Sequence, residues 1–186
     1  TIDGPVSVCG HSLGALVAID LAIRHPAKVS SAIALNSIFR RSSDAAKAVR
    51  SRAQELAQGN HSDPTATLER WFGAQPEEQH VEARDKCAAM LQTVDEEGYA
   101  AAYQVFANED GPADEALSAC GVPMLFITGS NEPNSTPQMS KNLAATAQNG
   151  QHRIIENARH MMPITHADKV NQHILQFVKE GASQNG

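Results

Sequence analysis

Pro5-Val6-Ser7-Val8-Cys9-Gly10-His11-Ser12-Leu13-Gly14-Ala15-Leu16 is the stretch that decides the fold. Val6 to Cys9 reads as a buried-type strand, and Leu13 to His25 reads as a helix with Leu16, Ile19 and Ile23 at three- and four-residue spacing. His25-Pro26 stops that helix, because a residue before proline is pushed out of the helical region. A second strand, Ala32 to Leu35, follows at once. Strand, helix and strand in this order make a βαβ unit, so the sheet is expected to be parallel.

Gly10-His11-Ser12-Leu13-Gly14 has the form G-x-S-x-G and sits between the predicted strand and the predicted helix, the context that gives this pattern meaning. So tight a turn forces the serine into a strained backbone, and the two glycines are expected to avoid Cβ clashes with neighbouring elements. The Ser12 hydroxyl is thereby held above the sheet edge as a candidate nucleophile. The first turn of the helix offers amides without helical acceptors, so Leu13 N–H is the candidate oxyanion donor. The plainer alternative is a glycine-rich turn with an idle serine.

A serine hydroxyl needs a base, and the base needs a carboxylate to orient it. Pro123 to Thr128 reads as a strand, and Glu132 lies in the loop that follows, Thr128-Gly129-Ser130-Asn131-Glu132-Pro133. His152 to Ile155 reads as the next strand, and His160 lies in the loop after it, Asn157-Ala158-Arg159-His160-Met161-Met162-Pro163. Serine, acid and histidine thus occur in the order of an α/β-hydrolase. Glu132 as an ordinary surface acid is the competing reading.

Between residues 40 and 120 the composition turns to Ala, Gln, Glu and Arg, with helices expected over Ser43–Gln58, Pro64–Phe72, Val81–Thr93 and Asp95–Phe106. Asp63-Pro64 and Asp95 are the capping starts. The expected organisation is a core formed by 1–39 and 121–181, a helical cap over 40–120 inserted between strands, and a frayed tail over 182–186. The core resumes with the strands above, separated by a helix over Thr136–Gln148 and closed by a helix over His166–Lys179.

At 186 residues one core is the expectation, and 15 basic against 21 acidic residues, without a Lys/Arg cluster, argue against nucleic acid or a membrane surface as partner. Cys9, Cys87 and Cys120 are an odd set without C-x-x-C spacing, which suits a reducing cytoplasm rather than a disulfide framework or zinc site. Cys9 is expected to be a small buried apolar residue. The histidines His25, His61, His80, His152, His166 and His173 show no metal-ligand spacing, so no metal is assigned.

From Pro5 to about Lys179 the chain resembles the α/β-hydrolase superfamily, with the three catalytic loops and the helical insertion in the corresponding places. Within it, Glu69-Arg70-Trp71-Phe72 and Glu97-Gly98-Tyr99-Ala100-Ala101 look like the 3-oxoadipate enol-lactonase group. The resemblance implies a serine hydrolase of a small ester or lactone, possible enol-lactones included, that needs no cofactor. Substrate contacts are expected from His11, Trp71 and Tyr103. Glu132 departs from the Asp usual at the acid position, and the alternative acid site after the preceding strand holds Asn36. The resemblance also implies further strands upstream of Thr1 and a loop there supplying the second oxyanion amide. This chain would then be a C-terminal part of the fold, with Val6–Cys9 as an open edge capable of self-association. The alternatives are a truncated or non-catalytic binding domain, and a carbon–carbon bond hydrolase or perhydrolase on the same scaffold.

Overall fold

The computed structural model describes residues 3–60 and 63–184. Two compact units emerge: one runs to Phe39 and resumes at Gly111, and the other is Arg40–Asp110.

The first unit is built on four parallel strands, β1 (Val6–His11), β2 (Val29–Leu35), β3 (Met124–Gly129) and β4 (Gly150–Ile155), in the order β1-β2-β3-β4. A parallel sheet needs cover on both faces, and two apolar clusters supply it. On one face Ala15, Ile19 and Ala22 of α1 (Leu13–Arg24) join Phe126 of β3 and Leu143. On the other, Ile33, Leu35, Leu125 and Ile127 of the strands meet Met162, Val170 and Phe177. The strands therefore read as near-continuous apolar runs, β3 being buried throughout.

The contact face of α1 differs from the expected one. Its buried residues are Ala15, Ala18, Ile19 and Ala22, with Leu16 and Ile23 only partly covered. Small side chains let the helix axis approach the sheet closely, so alanines rather than the larger aliphatics carry the seam. Cys9 is likewise exposed rather than buried: alternation along β1 turns Val8 toward the α1 cluster and Cys9 to the opposite face.

The second unit comprises α2 (Ser43–Ala57), α3 (Thr65–Phe72), α4 (Glu78–Thr93) and α5 (Glu96–Asn108). The starts of α2, α3 and α5 are chemically specified. Ser42 Oγ accepts from Ala45 N at 3.2 Å, Asp63 Oδ1 accepts from Thr65 N at 2.8 Å, and Asp95 Oδ1 accepts from Gly98 N at 2.6 Å. The unit is tied off by Arg41, whose side chain is 3% exposed: its guanidinium donates to Glu109 O at 2.6 Å, Asp110 Oδ1 at 2.9 Å and Phe106 O at 3.0 Å.

Two short helices of the first unit differ from the sequence expectation. A helix α6 (Asp114–Ala119) buries Leu117 in the α1-side cluster, and one-turn α8 (Met162–Thr165) seats Met162 in the other. Both are too brief to show periodicity. Between β3 and β4 lies α7 (Pro137–Thr146), and the last helix, α9 (Ala167–Gln184), continues through 182–184, where a frayed tail was expected. Residues 185–186 lie outside the described residues.

Candidate active site

Ser12 is the N-cap of α1 with φ 58° and ψ −119°, a conformation that L-residues adopt only when the surroundings impose it. Two features impose it here. Ser12 N donates to Leu35 O at 2.9 Å, continuing the pairing of β1 with β2, while Ser12 O already accepts from Ala15 N at 3.0 Å to start the helix. The chain must turn from strand to helix within one residue. Gly10 is indispensable to that turn, since a Cβ there would lie 1.8 Å from Gly14 O and 2.8 Å from Ala15 N, both backbone atoms. Gly14 is different: a Cβ at that position would meet nothing within 4 Å, so among the described residues the expected clash exists on one side of the serine only. Leu13 opens α1, and its N–H is one of the first-turn amides a helix leaves without an internal acceptor.

Glu132 and His160 meet, with His160 Nδ1 2.9 Å from Glu132 Oε2. The Glu132 residue is 3% exposed, yet its second oxygen is not orphaned: Oε1 accepts from Asn134 N at 2.8 Å and from Ser135 N at 3.3 Å. A carboxylate with one oxygen on backbone amides and the other on an imidazole is held in a single orientation. The two loops can approach so closely because Gly129 has no side chain; a Cβ there would lie 2.3 Å from Ala158 O. Asn131 N donates to that same Ala158 O at 2.9 Å, and Asn157 N donates to Ser130 Oγ at 2.8 Å, lacing the acid loop to the histidine loop.

His11 lies beside the base. Its ring centroid is 4.7 Å from that of His160, and its Nε2 is 2.9 Å from the His160 carbonyl oxygen. A carbonyl oxygen only accepts, so His11 Nε2 carries the proton. Burial and the adjacent His160 lower the His11 pKa to about 4, outweighing its bond to the His160 carbonyl and the nearby Glu132 charge, which push the other way. His11 is therefore a neutral donor at neutral pH. Because His11 directly precedes Ser12, this contact brings the nucleophile turn and His160 into one neighbourhood.

Trp71 and Tyr103 belong to the helical unit, on α3 and α5. Tyr103 packs between the rings of Tyr99 at 6.0 Å and Phe106 at 5.9 Å, and burial raises its pKa ahead of the smaller influence of its charged neighbours. Cys9, one residue before Gly10, is exposed as a residue, yet partial burial of its thiol pushes the pKa up and keeps it protonated, a poor rival nucleophile. Among the described residues no three His, Cys, Asp or Glu side chains gather as metal ligands; His61 lies outside those residues. No helix among them is long and apolar enough to cross a membrane.

Asn36 is the site residue whose role the sequence did not disclose. It directly follows β2 with φ 51°, is 1% exposed, and its Nδ2 donates to His160 O at 2.7 Å. An asparagine tolerating a left-handed backbone after a strand was the one available signal.

A parallel sheet with helices on both faces, a strained serine at the strand-to-helix turn and a histidine–carboxylate pair on later loops define an α/β-hydrolase. The profile of the family described as serine aminopeptidase, S33, matches residues 1–165, and the chain belongs to that family within the α/β-hydrolase superfamily. Two curated relatives come from Acinetobacter baylyi. The (E)-2-((N-methylformamido)methylene)succinate hydrolase is 38% identical over 169 residues, covering 91% of this chain and 63% of that protein. The 3-oxoadipate enol-lactonase 1 is 29% identical over 171 residues, covering 92% of this chain and 63% of that protein. The crystal structure of the enol-lactonase from Burkholderia xenovorans superposes with a TM-score of 0.76 at 25% identity, over 95% of this chain and 66% of that one. The chain thus spans less than two thirds of the length of the curated relatives it matches.

Proposed function

We propose that this chain carries the nucleophile, base and acid of a hydrolase that cleaves a small carboxylic ester or lactone through an acyl-enzyme. The observation that carries this reading is the 2.9 Å contact between His160 Nδ1 and the buried Glu132 carboxylate, with the His160 ring beside that of His11, the residue before the strained Ser12. With Nδ1–H donating to Glu132, the His160 Nε2 lone pair is left to accept the Ser12 proton as Oγ bonds to the substrate carbonyl carbon. Negative charge passes to the carbonyl oxygen, which Leu13 N–H stabilises. The tetrahedral adduct collapses by breaking the bond to the leaving oxygen, which takes its proton from His160. Water then gives a proton to His160, attacks the acyl carbon, and releases the acid and free Ser12 by the same steps reversed.

The relatives' names support a substrate class. An enol-lactone and a formamido-methylene succinate both hold an acyl group on a heteroatom joined to a carbon–carbon double bond, and both carry carboxylate chemistry. An enol or enamide leaving group is better stabilised than an ordinary alkoxide. The enamide reading, with a C–N bond cleaved by the same two steps, is the second possibility that the more similar of these two relatives favours. Trp71 and Tyr103 of the helical unit are proposed to select the substrate, and the free thiols suit a cytoplasmic setting. The position of β1 at one edge of the described sheet supports association there.

A fluorophosphonate probe tests the reading on the full-length protein. Labelling is expected at Ser12, abolished by Ser12→Ala and slowed about 10³-fold or more by His160→Ala. Unchanged labelling in Ser12→Ala, or a probe on another residue, overturns it.

A further inference from the structure

A backbone carbonyl has two acceptor sites, and at His160 both are filled by side chains from elsewhere in the fold. His11 Nε2 is 2.9 Å and Asn36 Nδ2 2.7 Å from the same oxygen, with the two donor nitrogens 3.4 Å apart. Neither donor comes from the loop that carries His160. His11 is the residue before Ser12, and Asn36 is the residue after β2. Asn36 is itself fixed from three directions: its N donates to Ile127 O at 2.8 Å, its Oδ1 accepts from Gly129 N at 3.4 Å, and its φ of 51° turns the side chain off the strand path. Gly129 is where the Glu132 loop begins. One amide side chain and one imidazole therefore tie the serine turn, the acid loop and the histidine loop to a single oxygen atom.

We infer that His11 and Asn36 form a two-donor clamp on the His160 carbonyl that sets the position of the base relative to Ser12, making both of them positioning residues for the hydrolase reaction. The inference rests on the reading of His160 as the base for Ser12. His160 is anchored at its ring by Glu132 and at its backbone by the clamp. The Glu132 contact fixes one ring nitrogen, and the bonds at Asn157 N and Ala158 O fix the loop just upstream of His160. With the backbone oxygen also held, the opposite ring nitrogen has one place to be. Catalysis by a positioned base is steep in distance, a displacement of about 1 Å costing about 10²-fold. His11 suits the task chemically because its Nε2–H is aimed at the His160 oxygen, and Asn36 because its amide places a donor toward His160 and an acceptor toward Gly129 on two separate atoms.

The test compares donors with shape-matched non-donors in the full-length protein. His11→Gln places an amide N–H near the position of Nε2, His11→Leu removes it, and Asn36→Asp keeps the size and the tolerance of positive φ but replaces donor by acceptor. Fluorophosphonate labelling of Ser12 is followed against pH, alongside the imidazole resonances of His160 by NMR. His11→Leu and Asn36→Asp are each expected to slow plateau labelling about tenfold, the double variant about 10²-fold, and His11→Gln to stay within about threefold of wild type. In Asn36→Asp the pH midpoint is also expected to move upward, since the new carboxylate favours the protonated imidazole. A purely structural role would lower the melting temperature without separating Gln from Leu at position 11. The clamp is overturned if His11→Leu and Asn36→Asp both label at the wild-type rate, or if His11→Gln is as slow as His11→Leu. Should Asn36→Asp fail to fold, the His11 pair decides. Should wild type itself fail to label, the Ser12 reading falls while the NMR arm still decides the clamp: His160 resonances displaced by His11→Leu and restored by His11→Gln support it, and unchanged resonances refute it.

Discussion

Glu132 reaches His160 with one carboxylate oxygen, Oε2 to Nδ1 at 2.9 Å, while the other caps the backbone amides of Asn134 and Ser135 at 2.8 and 3.3 Å. Both contacts use the full length of the glutamate. Glu132→Gln retains the shape but presents an amide N–H to Nδ1–H, favouring the wrong tautomer, and is expected to lower kcat by about 10³–10⁴. Glu132→Asp must abandon either the amides or the imidazole, and a loss of about 10–10² is expected. Steady-state kinetics on an enol ester check both; an Asp variant equal to wild type would show that the longer arm is dispensable.

Gly10 faces the backbone of Gly14 at a distance no Cβ can tolerate. Gly10→Ala is expected to destabilise the fold by about 4 kcal/mol or more, because the turn cannot widen without breaking the β1–β2 pairing at Leu35. Denaturant unfolding of the purified variant measures this, and a change under about 1 kcal/mol would mean that the turn has room to relax.

His11 gives stability a pH dependence of definite sign. Its pKa is lowered to about 4 in the fold, chiefly by burial, against about 6.5 in an unfolded chain. Between those values the unfolded chain binds a proton that the native state refuses, so stability is fully present above about pH 6.5 and lost as pH falls toward 4. The accumulated loss is at most about 3.4 kcal/mol over that window. Melting temperatures of wild type and His11→Gln should lie close together at neutral pH and separate as pH falls toward 4, the wild type losing stability that the glutamine variant keeps. Parallel curves would assign the loss to other groups.

Arg41 holds three acceptors with one buried guanidinium, and Phe106 lies 4.3 Å below it. Lysine offers a point charge in place of the planar fork and cannot reproduce that set. Arg41→Lys is expected to cost about 1–2 kcal/mol and Arg41→Ala about 2–4 kcal/mol, read as lost hydrogen-exchange protection in α2 and α5. Equal protection in all three proteins would remove Arg41 as the tie of the helical unit.

Much of this architecture was legible in the residues. The G-x-S-x-G turn, the βαβ reading and the four longer helices of 40–110 are local matters, set by glycine sterics, apolar period and capping side chains. Even the pairing of Glu132 with His160 followed from chain order, since loops after successive parallel strands open at the same sheet edge. The short helices α6 and α8 were not legible, because one or two turns carry no period and owe their existence to Leu117 and Met162 finding the core.

Residue order alone carries the hydrolase pattern and the succession of serine, acid and histidine along the chain. Contacts between residues far apart in the chain come from folding and from nothing local. The alanine face of α1 depends on how near the sheet stands, the exposure of Cys9 on which face β1 turns outward, and the role of Asn36 on a carbonyl 124 residues away. Local chemistry is written residue by residue, whereas an amide that serves a distant oxygen looks, in sequence, like any other asparagine.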